Sequence, residues 1–315
     1  MSARQVIPVG AGQGGREEPG AAPTRTSVLA QASDLLERSG VPSPGHDAEA
    51  LLLHALATSR SELWSNRNAS VSEEESARLG RLLEARSRRV PLQHLLGEIS
   101  FLGAELDIEP GVFVPRPETE GLVAHVLQKL GAELAESPAR GRILDLGTGT
   151  GAIPIAMLLA LPEGWTATAI DRCDKAIALA ARNARRNGVQ ERLRLTQADF
   201  RDPSLAIDFS PVDVLVSNLP YIPSSSIPSL MPEVRDHDPL EALDGGPDGL
   251  DAFRAAAIGL PAWLKPGGLL ALEIGGDQAD RCMELFGPHL AGARVESDLA
   301  GTPRVLIGRM RGPRR

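Results

Sequence analysis

The chain has 315 residues, enough for one large domain and a smaller one, and its 42% hydrophobic content supports a substantial buried core. A formal charge of −8 argues against a broad electrostatic grip on nucleic acid, so a protein or small-molecule partner is favoured and nucleic acid is not. Cys173 and Cys282 lack metal or disulfide-framework spacing, so no metal is expected, and no apolar run has transmembrane length or signal-peptide form, so no membrane partner is expected and cytoplasmic residence is.

Residues 1–25 are rich in Gly, Pro and Ala without apolar periodicity and read as a flexible tail. Residues 26–90 read as a small helical domain. Val28, Leu29, Ala32, Leu35 and Leu36 recur at helical spacing before Gly40, a second stripe runs from Asp47 to Ala57, and a third stretch follows Ser61. Ser72 with Glu75 has the form of a capping box opening a charged helix that carries Leu79, Leu82 and Leu83. The charged faces of these helices are read as solvated. Residues 91–116 read as a hairpin linker around Gly103, with Ile99, Phe101, Leu106 and Ile108 inward. Two prolines then hold Arg116 in a restricted backbone ahead of a helix through Leu122, Val123, Val126, Leu127 and Leu130, which suggests a positioning role for Arg116 or Glu118.

Residues 117–315 read as the main domain. From Arg142 onward apolar runs alternate with helical segments, the pattern of a parallel sheet covered on both faces. A strand over 143–146 runs into Gly147, Gly149 and Gly151, which allow a sharp turn and close approach to a ligand before a helix near Ile153. A second strand, 166–170, ends in Asp171, about twenty positions after the glycines, where a doubly wound sheet places a carboxylate for ribose hydroxyls. A third, 193–197, leads to Asp199, a candidate acceptor for an adenine amino group, and Phe200, a candidate to pack on its ring. Later strands are expected near 269–274 and 305–308. These glycines alone also fit a dinucleotide dehydrogenase. Here, however, they alternate as GxGxG directly after Asp145, whereas the dinucleotide fingerprint is GxGxxG and seats a pyrophosphate. S-adenosylmethionine has no phosphate and carries cationic sulfonium and amino groups, which carboxylates at successive strand ends suit.

The run Ser217-Asn218-Leu219-Pro220-Tyr221 closes the strand 212–216. An amide or exocyclic amine is a poor nucleophile because its lone pair is delocalised, so a catalyst must orient the NH2 group. The Asn218 side-chain oxygen and the Leu219 carbonyl supply acceptors for its two N–H bonds. Pro220 stiffens the turn, and the Tyr221 ring is placed to stack on a flat substrate group. The plain structural alternative is an ordinary strand-to-loop turn. Taken with the glycine loop, the run points to methyl transfer onto an amide or amino nitrogen.

Together with PRPETE, ILDLGTGTGAI, SNLPYIP, ALDGGPDGLD, LKPGGLLALEIGGDQ and DLAGTPRV, these segments resemble the PrmC/HemK family of protein glutamine N5-methyltransferases over roughly residues 26–310. That family uses S-adenosylmethionine to modify the glutamine of the GGQ motif in class 1 peptide release factors. The resemblance implies an α/β fold: a doubly wound, seven-stranded class I methyltransferase (Rossmann-like) domain, its last strand antiparallel, behind a small N-terminal helical domain that recognises the release factor. It implies cofactor contacts from Asp145, Gly147, Thr148, Gly149, Gly151, Asp171, Asp199, Phe200 and Asn218. It implies substrate contacts from Phe101, Arg116, Pro117, Glu118, Thr119, Asn218, Leu219, Pro220 and Tyr221, with Asn218, Pro220 and Tyr221 catalytic and Glu233 and the Gly245-Gly246 loop bracing the rim.

The chain departs from the family at Leu219, where a proline is usual, at His94, where a tyrosine is usual, and in the 300–304 segment. Methylation of a ribosomal-protein glutamine, adenine-N6 methylation of RNA or DNA, and a non-catalytic scaffold that binds a translation factor remain alternatives at this level. The sequence leaves the oligomeric state open.

Overall fold

The structure is a computed structural model that describes residues 22–134, 140–202, 211–298 and 300–312. They fall into two compact units, divided in sequence between Gly97 and Glu98.

The first unit is helical: α1 (Arg25–Arg38), α2 (Pro44–Leu56), α3 (Arg60–Ser65), α4 (Glu73–Ser87) and α5 (Leu92–Leu96). Val28, Ala32 and Leu36, one helical turn apart on α1, pack with Leu51, Leu52, Leu79 and Leu83. Each leucine buried this way contributes on the order of 2 kcal/mol. The Ser72 capping box is present: the Glu75 N–H donates to Ser72 Oγ at 3.3 Å and the Ser72 N–H to Glu75 Oε2 at 2.8 Å. Ser59 and Glu62 form a second one. Not all charge here is solvated. Arg86 Nε donates to Asp47 Oδ2 at 2.7 Å, with side chains only 5% and 8% exposed, and Arg86 Nη1 donates to the Val90 carbonyl at 3.0 Å. Of the expected flexible tail, residues 1–21 lie outside the described residues. Its last residues are bonded: the Val71 N–H donates to the Pro23 carbonyl and the Arg25 N–H to the Ala69 carbonyl.

The second unit opens with an antiparallel hairpin, β1 (Glu98–Phe101) and β2 (Ala104–Asp107). Leu102 and Gly103 both have positive φ, 45° and 83°, the backbone that a two-residue hairpin turn requires. Asparagine side chains cover the free edge of β2. Asn183 and Asn187 accept from the Asp107 and Glu105 N–H groups at 2.8 and 3.0 Å and donate to the carbonyls of the same residues, as a paired strand would.

The remaining strands are β3 (Arg140–Leu146), β4 (Gly164–Asp171), β5 (Leu193–Gln197), β6 (Val212–Asn218), β7 (Leu264–Glu273), β8 (Leu290–Ser297) and β9 (Pro303–Met310). They form one sheet in the order β5-β4-β3-β6-β7-β9-β8. β3 to β7 run parallel, while β9 is antiparallel to both β7 and β8. The helices are α6 (Pro117–Leu134), α7 (Ala152–Ala160), α8 (Asp174–Arg186), α9 (Pro232–Arg235), α10 (Leu240–Leu243), α11 (Asp251–Trp263) and α12 (Ala279–Phe286).

Alternate side chains of each strand feed two cores. Ile143, Val214, Val216, Leu269 and Ala271 join Leu122, Val126 and Ile155, whereas Leu144, Leu215, Leu270 and Leu272 join Phe253, Leu260 and Phe286. The α/β reading and the antiparallel last strand hold. β8 is an additional strand; its alternation is weak because it is an edge strand with few buried residues. Strand order reverses between β3 and β6, which opens a crevice at the carboxyl ends of the parallel strands, where doubly wound sheets bind ligands.

Candidate active site

A cavity of about 610 Å3 lies at that crevice, walled by the ends of β3, β4, β5 and β6, by residues of the segment before and at the start of α6, among them Phe113, Arg116 and Thr119, and by the loop around Leu243. The turn after β3 is built on positive φ values of 72°, 55° and 81° at Gly147, Gly149 and Gly151. A Cβ on Gly151 would sit 3.0 Å from Ile155 Cδ1 and 3.1 Å from Ala180 Cβ, so this glycine lets α7 and α8 pack closely. A Cβ on Gly147 or Gly149 would meet nothing within 4 Å, so the loop leaves open space where a ligand can approach its backbone.

The loop is held from β4. The Gly147 and Thr148 N–H groups donate to the Ile170 carbonyl at 2.8 and 3.0 Å, and the Gly149 N–H donates to Asp171 Oδ2 at 2.9 Å. The other Asp171 oxygen accepts from the Cys173 N–H at 2.9 Å. Burial raises the Asp171 pKa, and the Cys173 and Gly149 N–H groups oppose that rise. From α8, Asn183 Nδ2 donates to the Thr150 carbonyl at 2.9 Å, which couples the loop to the covered edge of β2.

Behind the loop, Asp145 is fully buried and neither of its oxygens has a hydrogen-bond partner. Burial pushes its carboxyl up to about 7; the nearby Thr148 hydroxyl pulls it down, short of hydrogen-bond geometry, and the charge of Asp171 pushes it further up. Thr148 is itself on the cavity wall.

The Asn-Leu-Pro-Tyr turn lines the same cavity at the end of β6, the strand paired beside β3. Asn218 Nδ2 donates to Thr119 Oγ1 at 3.0 Å, and Thr119 Oγ1 donates to Glu273 Oε2 at 2.7 Å. The Tyr221 hydroxyl approaches the other Glu273 oxygen at 3.4 Å. Burial, then the charge of Glu273, pushes Tyr221 up to about 12, so it remains a neutral donor. Behind the turn, Gln278 Nε2 donates to the Tyr221 carbonyl at 2.8 Å. Gly249, at φ 75°, lies so close that a Cβ there would be 2.3 Å from the same carbonyl oxygen. Arg116 reaches the wall with its guanidinium 5.0 Å over the Phe113 ring, paired to the buried carboxylate of Asp238.

The structure thus gathers Gly147, Thr148, Gly149, Asp171, Asp199, Phe200, Arg116, Thr119, Asn218, Leu219, Pro220 and Tyr221 on one wall. It places others elsewhere. Phe101, expected to contact substrate, is 2% exposed in the core beside Leu106 and Leu122, because the inward face of the hairpin is filled by the sheet-facing helices. Pro117 is the first residue of α6, and neither it nor Glu118 lines the cavity. Asp145 and Gly151 are also off the wall, one behind the loop and one between helices. Asp199 is on the wall, but both its oxygens accept from Arg201 Nε, at 2.8 and 3.1 Å, so the acceptor expected for an adenine amino group is engaged by an ion pair. Glu233 is buried in α9 and off the wall, whereas Gly246 lines the cavity and packs against Asp251, whose Oδ2 would lie 2.0 Å from a Cβ there. Glu273, Gln278 and Asp238 were not singled out from the sequence. Glu273 carried a legible signal, since it ends an apolar parallel strand just as Asp171 does.

Profiles of known families match two regions: the PrmC N-terminal domain at residues 27–97 and a methyltransferase domain at residues 143–237. Relatives align over almost the whole chain. The release factor glutamine methyltransferase of Caulobacter vibrioides is 39% identical, covering 90% of this chain and 96% of its own. Those of Geobacter sulfurreducens and Deinococcus radiodurans are 34% and 37% identical, covering 91% and 90% of this chain and 97% and 98% of their own. At this identity over this length, the chain belongs to the release factor glutamine methyltransferase (PrmC) family.

Proposed function

We propose that this protein transfers a methyl group from S-adenosylmethionine to the side-chain amide nitrogen of a glutamine, the one in the GGQ motif of class 1 peptide release factors, and does so in the cytoplasm. The observation that carries this reading is the placement of the Asn218-to-Tyr221 turn and the open glycine loop on one cavity wall, in a chain whose relatives carry that activity in their names.

The residues present fit S-adenosylmethionine. Gly147 and Gly149 leave room beside their backbone, Asp171 braces the loop with acceptor capacity to spare, and the unpartnered carboxylate of Asp145 favours a cationic ligand in front of it. When bound, the cofactor supplies an electrophilic methyl group on a sulfonium. The protein contributes position. With its NH2 group engaged by Thr119, Asn218 offers Oδ1 to one N–H of the substrate amide, and the Leu219 carbonyl accepts the other. Held this way, the nitrogen lone pair is turned out of conjugation and towards the methyl group, and Tyr221 packs on the flat amide. The methylated nitrogen is cationic and strongly acidic, so it releases its proton without a dedicated base.

A ribosomal-protein glutamine, an adenine or a purely binding role is less favoured, because the relatives aligned along the whole chain are named for release factor glutamine methylation. The test is incubation with radiolabelled S-adenosylmethionine and purified release factors, followed by peptide mass spectrometry. A methyl group on the GGQ glutamine is the expected result; label on another protein or on RNA, or no transfer despite cofactor binding, refutes the substrate.

A further inference from the structure

Glu273 lies one strand away from the turn, and parallel pairing puts it directly beside Asn218 in register. It is 1% exposed, and its two oxygens face two hydroxyls, those of Thr119 at 2.7 Å and Tyr221 at 3.4 Å. An ionised carboxylate only accepts hydrogen bonds. The Thr119 hydroxyl donates to Glu273, as it must to the ionised form, so the Thr119 oxygen has only lone pairs left for Asn218. Asn218 must then turn its NH2 group to Thr119, 3.0 Å away, and its Oδ1 the other way.

We infer that Glu273 is a positioning residue: through Thr119 it fixes the amide orientation of Asn218, so that the acceptor and not the NH2 group meets the substrate, and through its second oxygen it holds the Tyr221 hydroxyl. The inference rests on the methyl-transfer reading above for its kinetic consequence but not for the orientation itself. A flipped Asn218 would present two donors to a substrate amide that is also a donor, which removes the contact and leaves a repulsive one.

The charge on Glu273 matters because a protonated carboxyl can donate to Thr119 and release the chain. Burial raises its pKa, the Thr119 hydroxyl and Arg304 of β9 lower it, and Glu118 of α6 raises it. Tyr221 stays neutral beside it. The acid limb of the rate consequently lies above the ordinary glutamate range.

Two measurements on the full chain test this. In 15N-labelled protein without substrate, the Asn218 side-chain NH2 signal, assigned by its loss in Asn218→Ala, should be protected from solvent exchange in the wild type and in Thr119→Ser. In Thr119→Val it should exchange about tenfold faster, as befits a lost hydrogen bond. In the transfer assay, Thr119→Val should lower kcat by about tenfold with KM and S-adenosylhomocysteine affinity within about twofold, Thr119→Ser should restore it, and Glu273→Gln should remove the acid limb. Unchanged exchange in Thr119→Val, or an unchanged acid limb in Glu273→Gln, overturns the positioning role. If the exchange result holds but the wild type methylates no release factor, the orientation stands and the substrate reading falls. If the wild type methylates and the variants match it, only the positioning role falls. Should Thr119→Val fail to fold, the near-isosteric Glu273→Gln carries both readouts.

Discussion

Asp145 makes this fold pay at neutral pH for a charge held behind the glycine loop. Its folded pKa of about 7 lies above the reference value of 3.8, so the fold prefers the neutral acid. The stabilisation from that neutral form is complete below about 3.8 and is lost as pH rises through about 7. Each unit of difference corresponds to ~1.4 kcal/mol, so between pH 5 and pH 8 this one group withdraws roughly 2–3 kcal/mol from a fully buried site. Asp145→Asn removes the titration while keeping the shape. Thermal unfolding of the wild type and the variant, without cofactor, over that pH range isolates it, because other carboxylates titrate alike in both. Relative to the variant, the wild-type Tm is expected to fall by about 5–10 °C on going from pH 5 to pH 8. The variant is expected to bind S-adenosylmethionine more weakly, having lost the charge that opposes the cation. Parallel Tm profiles for the two proteins would refute the argument that Asp145 is an uncompensated buried acid.

Asp171→Asn leaves only one oxygen for two backbone donors, Gly149 and Cys173, and should weaken S-adenosylhomocysteine binding by about 10- to 100-fold in calorimetric titration; unchanged affinity removes Asp171 from the cofactor site. Asn218→Ala should reduce methyl transfer at least about 100-fold while cofactor affinity stays within about twofold, read by label incorporation and titration in parallel. Gly249→Ala combines φ 75° with a Cβ 2.3 Å from the Tyr221 carbonyl, so urea unfolding should show a loss of about 2 kcal/mol or more together with slower transfer. In the helical unit, Arg86→Leu strands the buried carboxylate of Asp47 and should cost about 3–5 kcal/mol by urea unfolding, most of which Arg86→Leu with Asp47→Leu should recover.

The parts of the molecule legible in the sequence are those with a local cause. The turn at 147–151 needs positive φ, and alternating glycines announce it. β5 was readable because Leu193 and Leu195 alternate with polar residues, and the Ser72 helix because its capping box is a local pattern of two residues three positions apart. What escaped depends on pairings that no local sequence pattern announces. Phe101 looked like a site residue through the segment that contains it, yet the hairpin turns that side chain into the core. Asp199 looked free because its partner, Arg201, is two residues away and reads as an ordinary loop charge. Glu273 becomes adjacent to Asn218 only when β6 and β7 are paired in register, 55 positions apart in the numbering.

The substitution at Leu219 follows from the same division between backbone and side chain. Leu219 is 1% exposed and its side chain joins the core with Leu146, Leu215, Leu250 and Phe253, although the residue also forms part of the cavity wall. Its contribution to the site is therefore its carbonyl, which any residue has, provided the turn is held. Here the holding comes from the neighbours: Pro220 restricts the conformation of residue 219, the Ile222 N–H donates to the Leu243 carbonyl, the Gly245 N–H returns to the Ile222 carbonyl, and Gln278 grips the Tyr221 carbonyl. A proline at 219 would add stiffness to a turn already fixed at four points, whereas the leucine adds apolar burial worth on the order of 2 kcal/mol. The side chains that must be specific, Asn218 and Tyr221, lie on either side of it and are held from one buried carboxylate, Asn218 through Thr119 and Tyr221 directly, so their orientation is set from Glu273 rather than from residue 219.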